Sequence, residues 1–214
     1  MLKLKYLFEN FDLAKKCMEF YECDMDSVDE MLQYFRISSN AIYPFRSKTG
    51  GRICFLRLSP AEEKKLDDVK SEICLMEWLI DKGFPAMRPV PMKDGKLFGQ
   101  INTEWGTYNV SCFEKVSGNS LEDTKGTFQI VKGYGKTLGE LHALMKEYPY
   151  SEERRNHKML LGEIEERMQK YGASEIVRKE FEDVCKELEC LPVSTSDYGV
   201  IHYDFEPDNV FYDD

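Results

Sequence analysis

The sequence predicts an α+β fold in two lobes, and three observations carry that prediction. Strand-like segments separated by turn residues are confined to the first half of the chain, one long amphipathic helix interrupts them, and everything from Thr127 to Leu191 is helical in pattern. No segment repeats another, which sets solenoid architectures aside. The expected lobes are residues 1–116, a small antiparallel sheet with a helical N-terminal extension, and residues 117–214, a helical block.

The N-terminal stretch reads as helix because Phe8, Phe11, Ala14, Met18 and Tyr21 recur at helical spacing; a second start follows at Ser27, with Glu30 three residues on as a capping box. Ile37, Ala41, Tyr43 and Phe45 then lead into a turn at Thr49-Gly50-Gly51, and Arg52 to Leu58 reads as the return strand of a hairpin. Ser59-Pro60-Ala61-Glu62 combines an N-cap serine, a proline at the first helical position and a capping glutamate, so a helix is expected to start there. Leu66, Val69, Ile73, Met76 and Ile80 form its apolar stripe and Gly83 its stop. Beyond Pro85, Pro89 and Pro91, Asp94-Gly95 is expected to turn a hairpin, with strands over Lys96 to Ile101 and Tyr108 to Val116, and Gly118 ends the β-rich part. Three helical stripes follow: Val131, Tyr134, Leu138, Leu141 and Met145; Leu160, Ile164 and Met168, stopping near Gly172; and Ile176, Val177, Phe181, Val184 and Leu188 behind an N-cap at Ser174.

Composition narrows the class. The 214 residues carry 29 Lys and Arg against 39 Asp and Glu, a net charge of -10, which disfavours a nucleic-acid partner. No run approaches the roughly 18 apolar residues of a membrane span, and Met1-Leu-Lys-Leu-Lys-Tyr6 has no secretion-signal core, so a cytoplasmic protein is expected. Seven cysteines without a C-x-x-C pair read as buried, reduced thiols.

The most informative residues lie at the end, in Val200-Ile-His-Tyr-Asp-Phe-Glu-Pro-Asp-Asn-Val-Phe-Tyr212. His202, Asp204 and Asn209 reproduce H-x-D-x-x-x-x-N, the catalytic-loop pattern of kinases, between apolar residues suited to short buried strands. Phosphoryl transfer needs a carboxylate to orient the attacking hydroxyl and accept its proton, and a neutral oxygen nearby to hold Mg²⁺. Asp204 suits the first task and Asn209 the second. Three letters alone recur by chance, and His202 reads equally well as a core imidazole. Upstream, Arg57 in a strand and Glu72 on the following helix stand 15 positions apart, the order in which a strand cation is paired for nucleotide phosphates.

Five stretches, R-I-C-F-L-R-L-S-P, S-E-I-C-L-M-E-W-L, V-S-C-F-E-K-V-S-G-N-S-L, L-G-E-L-H-A-L and I-H-Y-D-F-E-P-D-N-V-F, occur in an order that resembles the aminoglycoside phosphotransferase and choline kinase group over residues 35–214. That resemblance implies a two-lobed protein-kinase-like fold, with residues 1–116 holding the nucleotide-binding lobe, and an ATP- and Mg²⁺-dependent transfer of phosphate to a hydroxyl of a small molecule. It puts Arg57 in the place of the family's strand lysine, with Glu72 as its partner. Ser38, Ser39 and Asn40 match the loop over the phosphates, without its glycines, and Phe113 to Val116, with Glu114 between them, match the hinge that borders the adenine. His142 falls where the family has a structural helix histidine. Asp204 becomes the catalytic base and Asn209 a metal ligand.

Two further expectations follow. The family's second metal aspartate and its C-terminal helices lie beyond the catalytic loop, so the sequence reads as a fragment or a natural truncation, itself expected to bind nucleotide weakly and transfer nothing. Residues 151–214 hold 17 acidic against 8 basic residues, most of the net charge, which suits either a solvated helix surface or a cationic, aminoglycoside-like acceptor. A nucleotide-binding or regulatory module without transfer activity is the alternative reading.

Overall fold

A computed structural model describes residues 11–149, 154–194 and 197–213. The chain divides into two compact units, one made of residues up to 135 together with those from 204 onward, the other of residues 136–203.

The first unit is built on a five-stranded antiparallel sheet. Its strands are β1 (Arg36–Ile37), β2 (Ala41–Arg46), β3 (Ile53–Pro60), β4 (Phe98–Thr103) and β5 (Gly106–Glu114), in the spatial order β1-β2-β3-β5-β4. The expected hairpin joins β2 to β3, with Tyr43 opposite Leu56, and Gly50 and Gly51 turn it at φ of 79° and 63°. Alternation sends Tyr43, Phe45, Leu56, Leu58, Val110 and Cys112 to one face. There they form one core with Leu13, Ala14 and Met18 of α1 (Asp12–Met18) and Val28 and Leu32 of α2 (Val28–Leu32). The opposite face carries four buried polar residues, all that the described residues include, and they are cross-strand partners: Arg57 faces Ser111 and Ser59 faces Asn109. Beside them Phe113 packs with Val69 and Ile73 of α3 (Leu66–Asp81). A buried polar patch is tolerated only if its groups are bonded, so this face marks where the sheet has work other than packing.

Several local expectations are corrected. The helix expected from Ser59 starts at Leu66 instead: β3 continues through Pro60 because β5 pairs with it as far as Tyr108, and the Lys65 amide at the helix start donates to the Asp68 carboxylate at 3.2 Å. At Ser27 no capping box forms with Glu30; a 3₁₀ turn precedes α2, capped by Asp24, whose carboxylate accepts from the Asp26 amide. Gly83 does stop α3, at φ 81°, with its N–H and that of Phe84 donating back to Ile80 and Leu79, the Schellman arrangement. Asp94-Gly95 makes a turn but does not join two strands; β4 pairs with β5 across Glu104 and Trp105. Phe8 lies outside the described residues. Four cysteines are buried as expected, but Cys74 and Cys190 are exposed and Cys185 is half-buried.

Gly118 leads into β6 (Asn119–Ser120), which pairs antiparallel with β7 (Phe211–Tyr212) and so ties the end of the chain to the segment following the sheet. The buried strands expected around the loop are seen only in part: Val200 is buried and Phe211–Tyr212 form β7, but Ile201 lies in no strand and is exposed, and Phe211 is exposed, with β6 the sole pairing partner of β7 among the described residues. His202, too, is exposed and is not a core imidazole.

The helical block comprises α4 (Phe128–Glu147), α5 (His157–Tyr171) and α6 (Glu175–Cys190). Leu141 and Met145 are the buried part of the α4 stripe; His142, one position round the helix, is exposed, so the packed role expected of it is not what the structure shows. Ser174 caps α6 as expected, accepting from the Val177 amide, and Gly172 ends α5 at φ 69°. The half-buried side of α6 holds Arg178, Phe181, Cys185 and Leu188, whereas Ile176, Val177 and Val184 of the expected stripe are exposed.

Candidate active site

Arg57 sits in the middle of β3 with its side chain on the polar face of the sheet. Its guanidinium meets Glu72 of α3 in a bidentate pair, Nη1 to Oε1 at 2.7 Å and Nη2 to Oε2 at 3.1 Å, while Nε donates to Ser111 Oγ at 3.2 Å. The Phe113 ring lies 4.7 Å from Cζ, so the cation is also packed against an aromatic face. Sequence spacing brings the two together by way of the helix: strand β3 ends, the chain turns, and Glu72 falls on the second turn of α3 on the side facing the sheet. Lys64 Nζ joins the cluster at 2.6 Å from Glu72 Oε2. Burial pushes the Glu72 carboxyl up, but the charges and hydrogen bonds of Arg57 and Lys64 outweigh it and hold the group below its ordinary value.

Ser39 and Asn40 lie in the turn between β1 and β2, which closes with the Ser38 amide donating to the Asn40 carbonyl at 3.0 Å. Asn40 Oδ1 accepts from Ser59 Oγ at 2.6 Å, and its amide nitrogen donates to Ser39 Oγ at 3.3 Å. The turn is thereby fastened to β3 two residues beyond Arg57. At the other end of the sheet, the Glu114 amide donates to the Arg88 carbonyl and the Lys115 amide to that of Ile53, both at 2.9 Å. Arg52 pairs with the Glu114 carboxylate at 2.6 Å. Glu114 and Val116 line an open cavity of about 290 Å³ together with Arg52, Ile53, Lys115, Ser117 and Gly118.

The H-x-D-x-x-x-x-N segment forms a loop whose conformation is specified from several sides. Asn209 Nδ2 donates to Asp204 twice, to the carboxylate Oδ2 at 3.0 Å and to the backbone carbonyl at 3.2 Å. The intervening turn closes with the Asn209 amide on the Glu206 carbonyl at 3.0 Å. Tyr134 of α4 stacks on Phe205 at 5.1 Å and donates its hydroxyl to the Phe205 carbonyl. Ser120 Oγ and the Glu122 amide reach the Pro207 carbonyl, each at 3.2 Å. Tyr203, immediately before Asp204, holds φ at 71°, a left-handed backbone that costs a non-glycine residue on the order of 1–3 kcal/mol. Gly118 is needed here for a different reason: its φ is 81°, and a Cβ would stand 2.1 Å from the Tyr212 carbonyl oxygen.

The structure thus joins Arg57 to Glu72, Ser39 to Asn40, and Asp204 to Asn209, and places Phe113 against Arg57 while Glu114 and Val116 line a separate cavity. All of these residues belong to the first unit. Sequence reading missed Lys64, Ser111, Ser59 and Asn109. The alternation of Asn109 and Ser111 with Tyr108, Val110 and Cys112 is visible, but it reads as a solvated face until the pairing with Arg57 and Ser59 is known. Tyr134 was read as one more member of an apolar stripe.

Residues 38–214 match the phosphotransferase enzyme family, APH, and the chain belongs to that family. It is 24% identical over 144 residues to an amicoumacin kinase of Bacillus subtilis (strain 168), which covers 64% of this chain and 43% of that protein. Among solved structures, amicoumacin kinase hAmiN in complex with AMP-PNP, Ca2+ and Ami superposes with a TM-score of 0.77 at 18% identity, over 94% of this chain and 60% of that one. A microcompartment-associated aminopropanol kinase gives a TM-score of 0.54 at 17% identity, over 69% of this chain and 44% of that one. The fold is therefore the α+β, kinase-like fold expected from the sequence. The chain spans less than half the length of the Bacillus relative and about three fifths of hAmiN.

Proposed function

We propose that this chain is the nucleotide-handling part of a small-molecule kinase, which moves the γ-phosphate of ATP to an acceptor hydroxyl. The observation that carries the reading is the Arg57–Glu72 pair and the Asp204–Asn209 clip occurring in one compact unit of a family member.

In this reading the cationic cluster around Glu72 holds the α- and β-phosphates and the turn at Ser39 and Asn40 covers them. Phe113, Glu114 and Val116 border the adenine. Asn209 engages Asp204 Oδ2 through its amide nitrogen, which turns its own carbonyl oxygen away and leaves Asp204 Oδ1 as the proton acceptor for the attacking hydroxyl. Among the described residues no group of three or more His, Cys, Asp or Glu side chains could cage a metal. Mg²⁺ keeps waters and substrate phosphates and needs only one or two protein oxygens; the Asn209 side-chain oxygen would supply one, with Asp204 kept for the hydroxyl. A bound Mg²⁺ would neutralise charge on the phosphates.

A cationic acceptor is supported by the acidic excess of residues 151–214 and by the aminopropanol named for one of the two kinases above. Among the described residues no helix is long and apolar enough to cross a membrane. The second reading, nucleotide binding without transfer, is favoured by one feature, the glycine-free turn at Ser38–Asn40, where side chains limit backbone approach to phosphate.

Thermal unfolding with ATP and Mg²⁺ tests the nucleotide half: the midpoint rises if the folded chain binds, and an unmoved midpoint at millimolar ATP refutes it. Transfer is tested with Asp204→Asn in the complete protein, where turnover is expected to drop by about 10² or more. Unchanged turnover removes Asp204 from the reaction. Transfer absent from the parent protein, with ATP binding retained, would favour the second reading.

A further inference from the structure

We propose that Lys64, and not Arg57, makes the direct contact with the nucleotide's phosphates, and that Arg57 positions Glu72 for it. The inference rests on the nucleotide reading above and concerns which cation touches the ligand.

Arg57 is ill placed to release itself for an anion. It is 8% exposed, and three of its five N–H groups are committed: two to Glu72 and one to Ser111. Phe113 covers one face of the guanidinium. Withdrawing any of these bonds would leave a buried donor or a buried carboxylate unpaired. Lys64 differs in each respect. Its side chain is 29% exposed, it commits one of its three N–H groups to Glu72 Oε2, and an ammonium on a flexible stem can add an acceptor without losing the first.

The charge balance points the same way. Two cations share one carboxylate, and because Arg57 and Glu72 are already bidentate, the surplus positive charge resides on Lys64. A half-buried surplus cation favours an anion that completes the cluster.

The position is also built, which a chance surface ion pair would not require. The Lys64 amide donates to the Pro60 carbonyl at 3.0 Å, and its carbonyl accepts from Asn109 Nδ2 at 2.7 Å. Asn109 is 2% exposed and is itself oriented by Gln100, whose amide donates to Asn109 Oδ1 at 2.8 Å. A buried side chain of β5 therefore sets the place of a lysine that sits between β3 and α3.

Calorimetric titration of the chain with Mg·ATP and with adenosine separates the outcomes. Lys64→Met is expected to weaken ATP binding about tenfold or more while leaving adenosine unchanged, and Lys64→Arg to retain most of the ATP affinity. Equal ATP affinity for wild type and Lys64→Met overturns the inference and leaves the nucleotide reading standing. Equal loss of ATP and adenosine overturns it as well, since Lys64 would then serve only the fold. A wild-type chain that binds neither ligand removes the nucleotide reading and the inference together.

Discussion

Removing Glu72 should cost more than removing Arg57, although the two are partners. In Glu72→Ala the guanidinium of Arg57, whose side chain is 9% exposed, keeps only Ser111 and the Phe113 ring. Breaking a buried ion pair at one end costs about 3–5 kcal/mol. Glu72 is 25% exposed, so water can enter the gap and the lower end, about 3 kcal/mol, applies. In Arg57→Met an apolar chain of similar length replaces the cation, and Glu72 retains Lys64 at 2.6 Å as its counter-charge. The cost there is the lost bond and stacking, about 1–2 kcal/mol. At roughly 2–4 °C per kcal/mol for a chain of this size, Glu72→Ala lowers Tm by about 6–12 °C and Arg57→Met by about one third to two thirds as much. Urea unfolding followed by circular dichroism reads both differences. Equal losses in the two variants, or a loss below about 1 kcal/mol in Glu72→Ala, would refute the claim that the buried charge left behind sets the cost.

The same pair governs the acid limb of stability. The carboxyl of Glu72 titrates below its ordinary value in the folded protein, so its contribution is fully present above the unfolded value near 4.3 and disappears as pH falls through the lower folded value. Glu72→Gln should therefore flatten the loss of stability below about pH 4.5, and an unchanged acid limb would contradict the assignment. Gly118→Ala must displace the Tyr212 carbonyl 2.1 Å from its Cβ and cost about 2 kcal/mol or more, whereas Gly172→Ala, at φ 69° with open space around it, should cost only about 1 kcal/mol. Hydrogen exchange would show the Leu121 amide, bonded to Val210 at 2.8 Å, losing protection in the first variant alone. Native alkylation at pH 8 should label Cys74 and Cys190. Burial pushes the Cys17 thiol up to about 12 and that of Cys23 up to about 11, so these two stay unlabelled, and modification of Cys17 at the rate of Cys74 would show that core to be open.

What the sequence alone determined was what local chemistry dictates. The β2–β3 hairpin was legible because paired glycines and alternation act over a dozen residues, and α3 because its stripe and Gly83 do. The Asp204–Asn209 motif was legible because a loop that must hold a carboxylate and an amide side by side leaves them at a fixed spacing. The misread start of α3 shows the limit of the same logic: Ser59-Pro60-Ala61-Glu62 has every local feature of a helix start, yet pairing of β3 with β5 through Tyr108 keeps it extended, because ladder hydrogen bonds and burial outweigh a cap of about 1 kcal/mol.

Tertiary structure alone decided which polar residues are buried together. Arg57, Ser59, Asn109 and Ser111 are separated by up to 54 positions and become one patch only when the β3–β5 register sets Arg57 against Ser111. That register also fixes Asn109, through it Lys64, and through Glu72 the ownership of the surplus charge. Long-range pairing is invisible to periodicity because the energy that selects it, burial with every polar group bonded, is a property of the assembled sheet and not of any one strand.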